Sequence, residues 1–176
     1  MIHPYEGKEP DVAKASFIAW NAEVSGDVTL GKESSVWYSV TLRGDIEPLI
    51  IGERTNIQDN SVLHTQKGCP TIVGDYVVVG HSVILHSCSI GNCTLVGMGA
   101  IVLNNVTIPE HCIIGAGSLV TEGKSFPPRS LIIGSPARVI REVTDKEIES
   151  ILAATERYLE KARKTDEIQK KNGPHL

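Results

Sequence analysis

Residues 89–120, SIGNCTLVGMGAIVLNNVTIPEHCIIGAGSLV, carry an aliphatic side chain at every sixth position. The repeating positions are Ile90, Val96, Val102, Ile108, Ile114 and Val120. A helix would repeat its apolar residues every three or four positions, and a half-buried strand every second one. A fixed period of six is typical of a β-helix built from hexapeptide repeats, whose short strands form the flat sides of a prism.

The same period extends towards the N-terminus, with one residue dropped between Leu85 and Ile90 and two short insertions, around Pro48 and at 65–71, TQKGCPT. The earlier aliphatic positions are Ile18, Val24, Leu30, Val36, Leu42, Ile51, Ile57, Leu63, Val73, Val79 and Leu85. Glycine often follows the aliphatic residue, and we expect it at corners where the backbone bends sharply. Long helical segments, which a doubly wound α/β fold would need between its strands, are missing from this part of the sequence. The sequence therefore predicts a mainly β fold, a parallel β-helix over residues 1–143.

A different pattern begins after the repeats end near Val120. Thr144 and Glu147 have the spacing of a capping box, and apolar residues then recur at helical intervals. The apolar positions are Ile148, Ile151, Leu152, Thr155, Leu159 and Ala162. We expect a C-terminal helix over 144–168 that packs on the β-helix, followed by a polar tail over 169–176.

The composition restricts the classes of partner. The chain has 176 residues and a formal net charge of −4, with no basic cluster, which argues against nucleic acid. No apolar run is long enough to span a bilayer, and the N-terminal residues do not resemble a signal peptide. The four cysteines lack CxxC spacing, so we expect free thiols and a cytoplasmic location without membrane contact.

Two histidines take equivalent places in successive coils. Three hexads make one coil, so His64 and His86, each directly after an inward-pointing leucine, should point outward in one column about 4.8 Å apart. Arg43 precedes them in the same column. This placement predicts that the two imidazoles share a metal ion.

His81 lies on the preceding face, two residues after Val79. One chain would have difficulty in bringing it to the same metal as His64 and His86, so a neighbouring chain is expected to supply it. The alternative for a lone histidine in a β-helix is a surface residue or a single catalytic base. The three histidines together favour a metal site at a subunit interface.

Several motifs resemble the γ-class carbonic anhydrase family. They are LRGD at 42–45, NIQDNSVLH at 56–64, GHSVILH at 80–86, IGNCTLVGMGAIVLN at 90–104 and GSPARVIR at 134–141. The resemblance implies a left-handed β-helix, a homotrimer, and a metal at each subunit interface. That metal would be zinc, with iron or cobalt as alternatives, and a metal-bound hydroxide would convert carbon dioxide reversibly to bicarbonate.

The resemblance also implies roles for individual residues. His64 and His86 of one chain and His81 of its neighbour would be the metal ligands. Gln58 would hydrogen-bond the metal-bound water, and Tyr158 would line the site. The charged residues Arg43, Asp45 and Asp59 would join the subunits near the metal.

The sequence departs from the family in two places. Ile46 follows RGD where a glutamate is expected, with Glu47 one step later, and the loop after His64 lacks the carboxylate of a proton shuttle. Two alternatives therefore stay open. One is a hexapeptide acyltransferase, which shares the prism and typically uses one catalytic histidine. The other is a thioesterase or a non-catalytic trimeric subunit.

Overall fold

The computed structural model describes residues 1–173 as a parallel β-solenoid followed by a long helix. The strands are β1 Ile2–His3, β2 Phe17–Ile18, β3 Glu23–Leu30, β4 Ser35–Val36, β5 Thr41–Ile51, β6 Asn56–Ile57, β7 Val62–His64, β8 Thr71–Val73, β9 Val78–Val79, β10 Ile84–His86, β11 Ser89–Ile90, β12 Leu95–Val96, β13 Ile101–Val102, β14 Thr107–Ile108, β15 Ile113–Ile114, β16 Leu119–Val120, β17 Ser130–Gly134 and β18 Ala137–Glu142, and the helix is α1 Asp145–Asn172. The predicted mainly β fold with a C-terminal helix is confirmed.

The strands stack in three columns, which are the three faces of the prism. The first face contains β2, β4, β6, β9, β12, β15 and β17, seven parallel strands that mark seven coils. The second face contains the first halves of β3 and β5, then β7, β10, β13 and β16. The third face contains the second halves of β3 and β5, then β8, β11 and β14.

The hexad positions form the core, as the period predicts. Leu42, Leu63 and Leu85 pair in register in three successive coils, and each is fully buried. Burying one such side chain contributes about 2–3 kcal/mol of hydrophobic free energy. Because every coil repeats the arrangement, the core is a continuous stack that fixes which outward-pointing residues lie above one another.

The glycines that follow the aliphatic positions have a different role from the expected one. The positive φ of each sharp corner occurs two residues after the glycine. Residues other than glycine often adopt it, such as Arg54 and Tyr76. At Gly52, a Cβ atom would lie 2.5 Å from the backbone of Gly74 in the next coil. These glycines therefore lie at the start of the corners, as expected, but they allow close approach between coils instead of adopting the positive φ of the bend.

The two insertions lie side by side at the corner between the second and third faces. β5 passes through this corner as one long strand, and the 65–71 loop closes through a bridge between Gln66 and Cys69. Glu47 joins the two insertions, because its carboxylate accepts a hydrogen bond from the Gly68 N–H at 2.8 Å. The insertions therefore brace the backbone directly after the end of β7.

Helix α1 lies against the first face and begins with the predicted capping box. Thr144 accepts a hydrogen bond from the Glu147 N–H while the Glu147 carboxylate accepts one from the Thr144 N–H, which confirms the box. The buried face of the helix consists of Ile151, Thr155, Leu159 and Ala162. The helix contacts β2, β4, β6 and β9.

The helix ends at Asn172, four residues beyond the predicted end. The physical reason is Gln169, whose side chain donates to the Ile18 carbonyl and accepts from the Trp20 N–H, each at 2.9 Å. These contacts hold the last turns against the first coils, so the predicted polar tail begins later than 169. The final part of that tail, 174–176, lies outside the described residues.

Two further expectations bear on the environment of the chain. The four cysteines are free thiols, as predicted. Within residues 1–173, no helix has both the length and the apolarity that a membrane crossing requires. The cytoplasmic location stays a prediction.

Candidate metal centre

His64 and His86 stand one above the other on the second face. They end β7 and β10, and their Cα atoms are partners in the parallel register. His64 Nδ1 and His86 Nε2 face each other at 3.1 Å. The column predicted from the sequence is therefore present, with both ring nitrogens turned towards one point.

Each of these two rings is held from behind by a hydrogen-bond acceptor. His64 Nε2 lies 2.9 Å from Asp45 Oδ1, and His86 Nδ1 lies 2.6 Å from Asn104 Oδ1. In the tautomers that satisfy these partners, the proton of each ring points at the acceptor. His64 Nδ1 and His86 Nε2, which face each other, then each carry a lone pair and no proton. Two such lone pairs repel each other unless a cation lies between them.

The donor set fits a divalent metal such as zinc. Two imidazoles on a tetrahedral zinc, with Zn–N distances of 2.0–2.1 Å, would have their nitrogens about 3.3–3.4 Å apart. The observed 3.1 Å differs from this by only a few tenths of an ångström. Metal-binding histidines usually donate their second N–H to a carboxylate or amide oxygen, as both rings do here.

Burial and neighbouring charges shift the pKa values of His64 and Asp45. Burial lowers the pKa of His64, which outweighs the opposite effect of its hydrogen bond to Asp45. Burial of Asp45 opposes its ionisation, but hydrogen bonds from His64 and Arg43 prevail and hold the carboxyl pKa below its usual range. Near neutral pH, His64 is therefore a neutral potential ligand and Asp45 a charged acceptor. Arg43 Nη2 also lies 3.4 Å from His64 Nδ1, at the long end of hydrogen-bond distances.

His81 lies apart from this pair, at the corner between the first and second faces. Its Nδ1 lies 2.7 Å from Asp59 Oδ2, and the side chain is partly exposed. In residues 1–173 of a single chain, no three His, Cys, Asp or Glu side chains converge closely enough to hold a metal. The chain therefore brings together His64 and His86 and keeps His81 separate.

Gln58 and Tyr158 both lie near this corner. Gln58 is buried, and its side-chain amide donates to Asn56 Oδ1 at 3.0 Å. The Tyr158 ring packs edge-on against Trp37, with centroids 5.3 Å apart. Burial, and then the negative charge of Asp59, raise the pKa of Tyr158. Both residues are thus on the His81 side of the site, and their predicted roles towards a metal-bound water stay predictions.

The sequence interpretation missed the residues that orient His86. Asn104, in the next coil, accepts from His86, and its own amide donates to Gln66 Oε1 at 3.0 Å. This second bond fixes which end of the amide faces the imidazole. The sequence did contain a signal for the contact between Asn104 and His86. Asn104 directly follows Leu103, and Leu103 lies one coil beyond His86.

The departures from the family pattern have structural consequences. Ile46, which replaces the expected glutamate, is exposed. The carboxylate of Glu47 is used by the Gly68 N–H. As the sequence indicates, the 65–71 loop adds no carboxylate of its own.

Comparison with known protein families gives a match to "Bacterial transferase hexapeptide (six repeats)" over residues 87–122. A carbonic anhydrase of Geobacillus kaustophilus is 45% identical over 163 residues, covering 93% of this chain and 90% of the relative. Gamma carbonic anhydrase 1, mitochondrial, of Arabidopsis thaliana is 41% identical over 157 residues, covering 86% of this chain and 57% of that longer protein.

Among solved structures, a Bacillus cereus protein named as a presumed acetyltransferase matches with a TM-score of 0.93. It is 45% identical, and the match covers 96% of this chain and 98% of that one. The Bacillus cereus structure therefore shares this architecture from end to end, while the names of these relatives differ in the activity they assign.

Proposed function

The chain belongs to the γ-class carbonic anhydrase family, and we propose that it hydrates carbon dioxide reversibly at a metal ion shared between neighbouring subunits. Its relatives place it among the carbonic anhydrase-like lyases. The observation that carries the proposal is the pair of ring nitrogens on His64 and His86, 3.1 Å apart and turned towards one point. A zinc ion bound there would supply Lewis-acid activation of water at neutral pH.

The surrounding residues would hold the imidazoles ready for this ion. Asp45 and Asn104 each accept a hydrogen bond from one histidine of the pair, and Asp59 lies 2.7 Å from His81 Nδ1. The charge of Asp45 also raises the basicity of His64 as a ligand. Because the acceptors already fix the ring orientations, little reorganisation would accompany metal binding.

The geometry of the second face supports a closed trimer. His81 lies at the edge where the chain enters this face, and His64 and His86 lie at the edge where it leaves. A threefold axis that brings three such faces together would place one edge of each subunit against the other edge of the next. Val62 and Ile84, exposed between the two edges, would then be covered near the axis.

The same arrangement gives roles to the charged and polar neighbours. Arg43 would form an ion pair with Asp59 of the adjacent subunit, one coil below the metal ligands. Gln58 would orient the water that is activated, and Tyr158 would line the entrance beside it. Proton export would depend on buffer, because Glu47 is engaged by the backbone of Gly68.

A second candidate function is acyl transfer, favoured by the name of the Bacillus cereus structure. This alternative needs one catalytic histidine and an acyl donor. It gives no reason for the stacked imidazoles of His64 and His86, each of which is held by an acceptor.

Metal analysis combined with a carbon dioxide hydration assay tests the proposal. We expect about one divalent metal per chain and hydration activity, with most of both lost in His64→Ala, His81→Ala and His86→Ala. His111→Ala, at a half-buried corner elsewhere, is the matched control. Full metal content in all three variants would refute the site. Metal-independent acylation by the parent protein would favour the acyltransferase.

A further inference from the structure

A cleft of about 410 Å³, which we call the terminal cleft, lies at the C-terminal end of the solenoid. One wall is the segment that follows β16, and the other is the turn between β17 and β18. Its volume falls within the range of about 300–1,000 Å³ that is typical of small-molecule sites. The residues that line it are Thr121, Lys124, Phe126, Pro136, Ala137 and Arg138.

Both walls of the terminal cleft are anchored to the solenoid. The Lys124 carbonyl accepts a hydrogen bond from the Thr107 N–H of the preceding coil at 2.9 Å. On the other wall, Arg138 pairs with Ile133 in the antiparallel ladder of β17 and β18. Phe126 is partly buried and packs against the hydrophobic core. The cleft is therefore formed by backbone that the fold already holds in place.

The terminal cleft collects positive charge in a chain that has an excess of acidic residues. The whole chain has 21 Asp and Glu against 17 Lys and Arg, yet the lining contains Lys124, Arg138 and no carboxylate. Within residues 1–173, neither of these two cations has an ion pair or a side-chain hydrogen bond, whereas Arg141 in the same strand is paired. Glu122, close to Lys124 in sequence, accepts from Asn105 at 3.4 Å instead.

The rest of the lining is apolar apart from one hydroxyl. Phe126, Pro136 and Ala137 supply the apolar surface, and the Thr121 hydroxyl has no hydrogen-bond partner in the described part of the chain. The guanidinium, ammonium and hydroxyl groups donate hydrogen bonds that suit phosphate oxygens. A flat ring of a ligand would pack well against the aromatic side chain. The cleft therefore matches a ligand with one anionic end and one flat apolar end.

We infer that the terminal cleft binds a small organic phosphate with a flat apolar group, such as a mononucleotide. The site is separate from the candidate metal centre. Because β10, β13 and β16 pair in register, Thr121 lies two coils beyond His86, about 10 Å along the prism axis. None of the cleft residues belongs to the metal centre, so failure of the proposed hydration activity would leave this inference standing.

Isothermal titration calorimetry with three probes tests the class of ligand. Adenosine 5′-monophosphate (AMP) should bind at a single site in each chain. Adenosine and inorganic phosphate should each bind at least about tenfold more weakly, because each lacks one half of the recognised group. Added salt should weaken AMP binding, since it screens exposed charges. Equal affinity for AMP and adenosine, or no saturable AMP binding at millimolar concentration, would overturn the inference.

Charge variants locate the site. Lys124→Ala and Arg138→Ala should each weaken AMP binding about tenfold because a charge-assisted contact is lost, and Arg138→Lys should keep part of the affinity. Lys164→Ala, which removes an exposed lysine of α1, is the matched control and should bind AMP like the parent. If Lys124→Ala and Arg138→Ala bind AMP as tightly as this control, AMP binds elsewhere and the inference is wrong.

Phe126 provides the test of the apolar end. Phe126→Leu keeps an apolar side chain against the core but removes the flat ring. In a variant whose thermal unfolding shows that it is folded, AMP should bind about tenfold more weakly while inorganic phosphate binds as it does to the parent. AMP affinity equal to that of the parent would show that the cleft does not recognise the flat group, and would refute a mononucleotide as its ligand.

Discussion

Asn104→Ala should weaken metal binding although Asn104 is not itself a ligand. The substitution removes the acceptor that lies 2.6 Å from His86 Nδ1 and leaves Gln66 Oε1 without its donor. His86 can then rotate, or move its proton to the nitrogen that should bind the metal. Loss of such a supporting contact typically costs 10- to 100-fold in metal affinity, which is about 1.4–2.7 kcal/mol at 25 °C.

The assay for this effect is competition for zinc against a chelator of known affinity, followed at constant pH. Asn104→Asp should recover most of the affinity, because a carboxylate still accepts from His86. Asn105→Ala is the matched control, since the neighbouring side chain is exposed and donates to Glu122 at 3.4 Å. Thermal unfolding of each variant separates a fold defect from a metal defect. An Asn104→Ala affinity within twofold of the parent, in a folded trimer, would refute the argument.

Three other predictions follow from the same structure. Hydrogen bonds from Arg141 and Thr144 lower the pKa of Glu147 to about 2, so its stabilising effect is present above pH 4.5 and is lost as the pH falls through 2. Glu147→Gln should therefore lower the thermal midpoint at pH 7 and differ less from the parent near pH 2; a constant difference would contradict this. Gly52→Ala should destabilise by about 1–3 kcal/mol because its Cβ meets the backbone of the next coil. Denaturant unfolding should show a smaller loss for Gly123→Ala, where space is open and the cost is only that of a side chain at positive φ. Equal losses would count against close coil contact at Gly52. The hydration rate should rise with buffer concentration, and Ile46→Glu should reduce that dependence in stopped-flow assays; a buffer-independent parent would show that an internal proton path exists.

The stacking of His64 on His86 could be predicted because the hexad period fixes the register of successive coils. Once Leu63 and Leu85 are assigned to the interior of the same face, the residues after them must share one outward column. The same reasoning separated His81 from the pair. These predictions needed only the period and the alternation of side chains along a strand.

The orienting contacts could not be predicted in the same way. That Asn104 bonds His86, and that Gln66 in turn fixes the amide of Asn104, depends on side-chain rotamers and on the path of an irregular loop. The length of α1 was also missed, because Gln169 is held by backbone groups about 150 residues away in sequence. Such long-range contacts leave no local pattern.

The central claim is that each metal is held by His64 and His86 of one chain and His81 of the next. The most direct measurement is the metal content of trimers refolded from an equal mixture of His81→Ala and His86→Ala chains. Neither variant alone should hold much metal. With random assembly, about one interface in four would pair an intact His64 and His86 with an intact His81, so about a quarter of the parent metal content should return. Mixed trimers that bind no more metal than the separate variants would contradict the shared site.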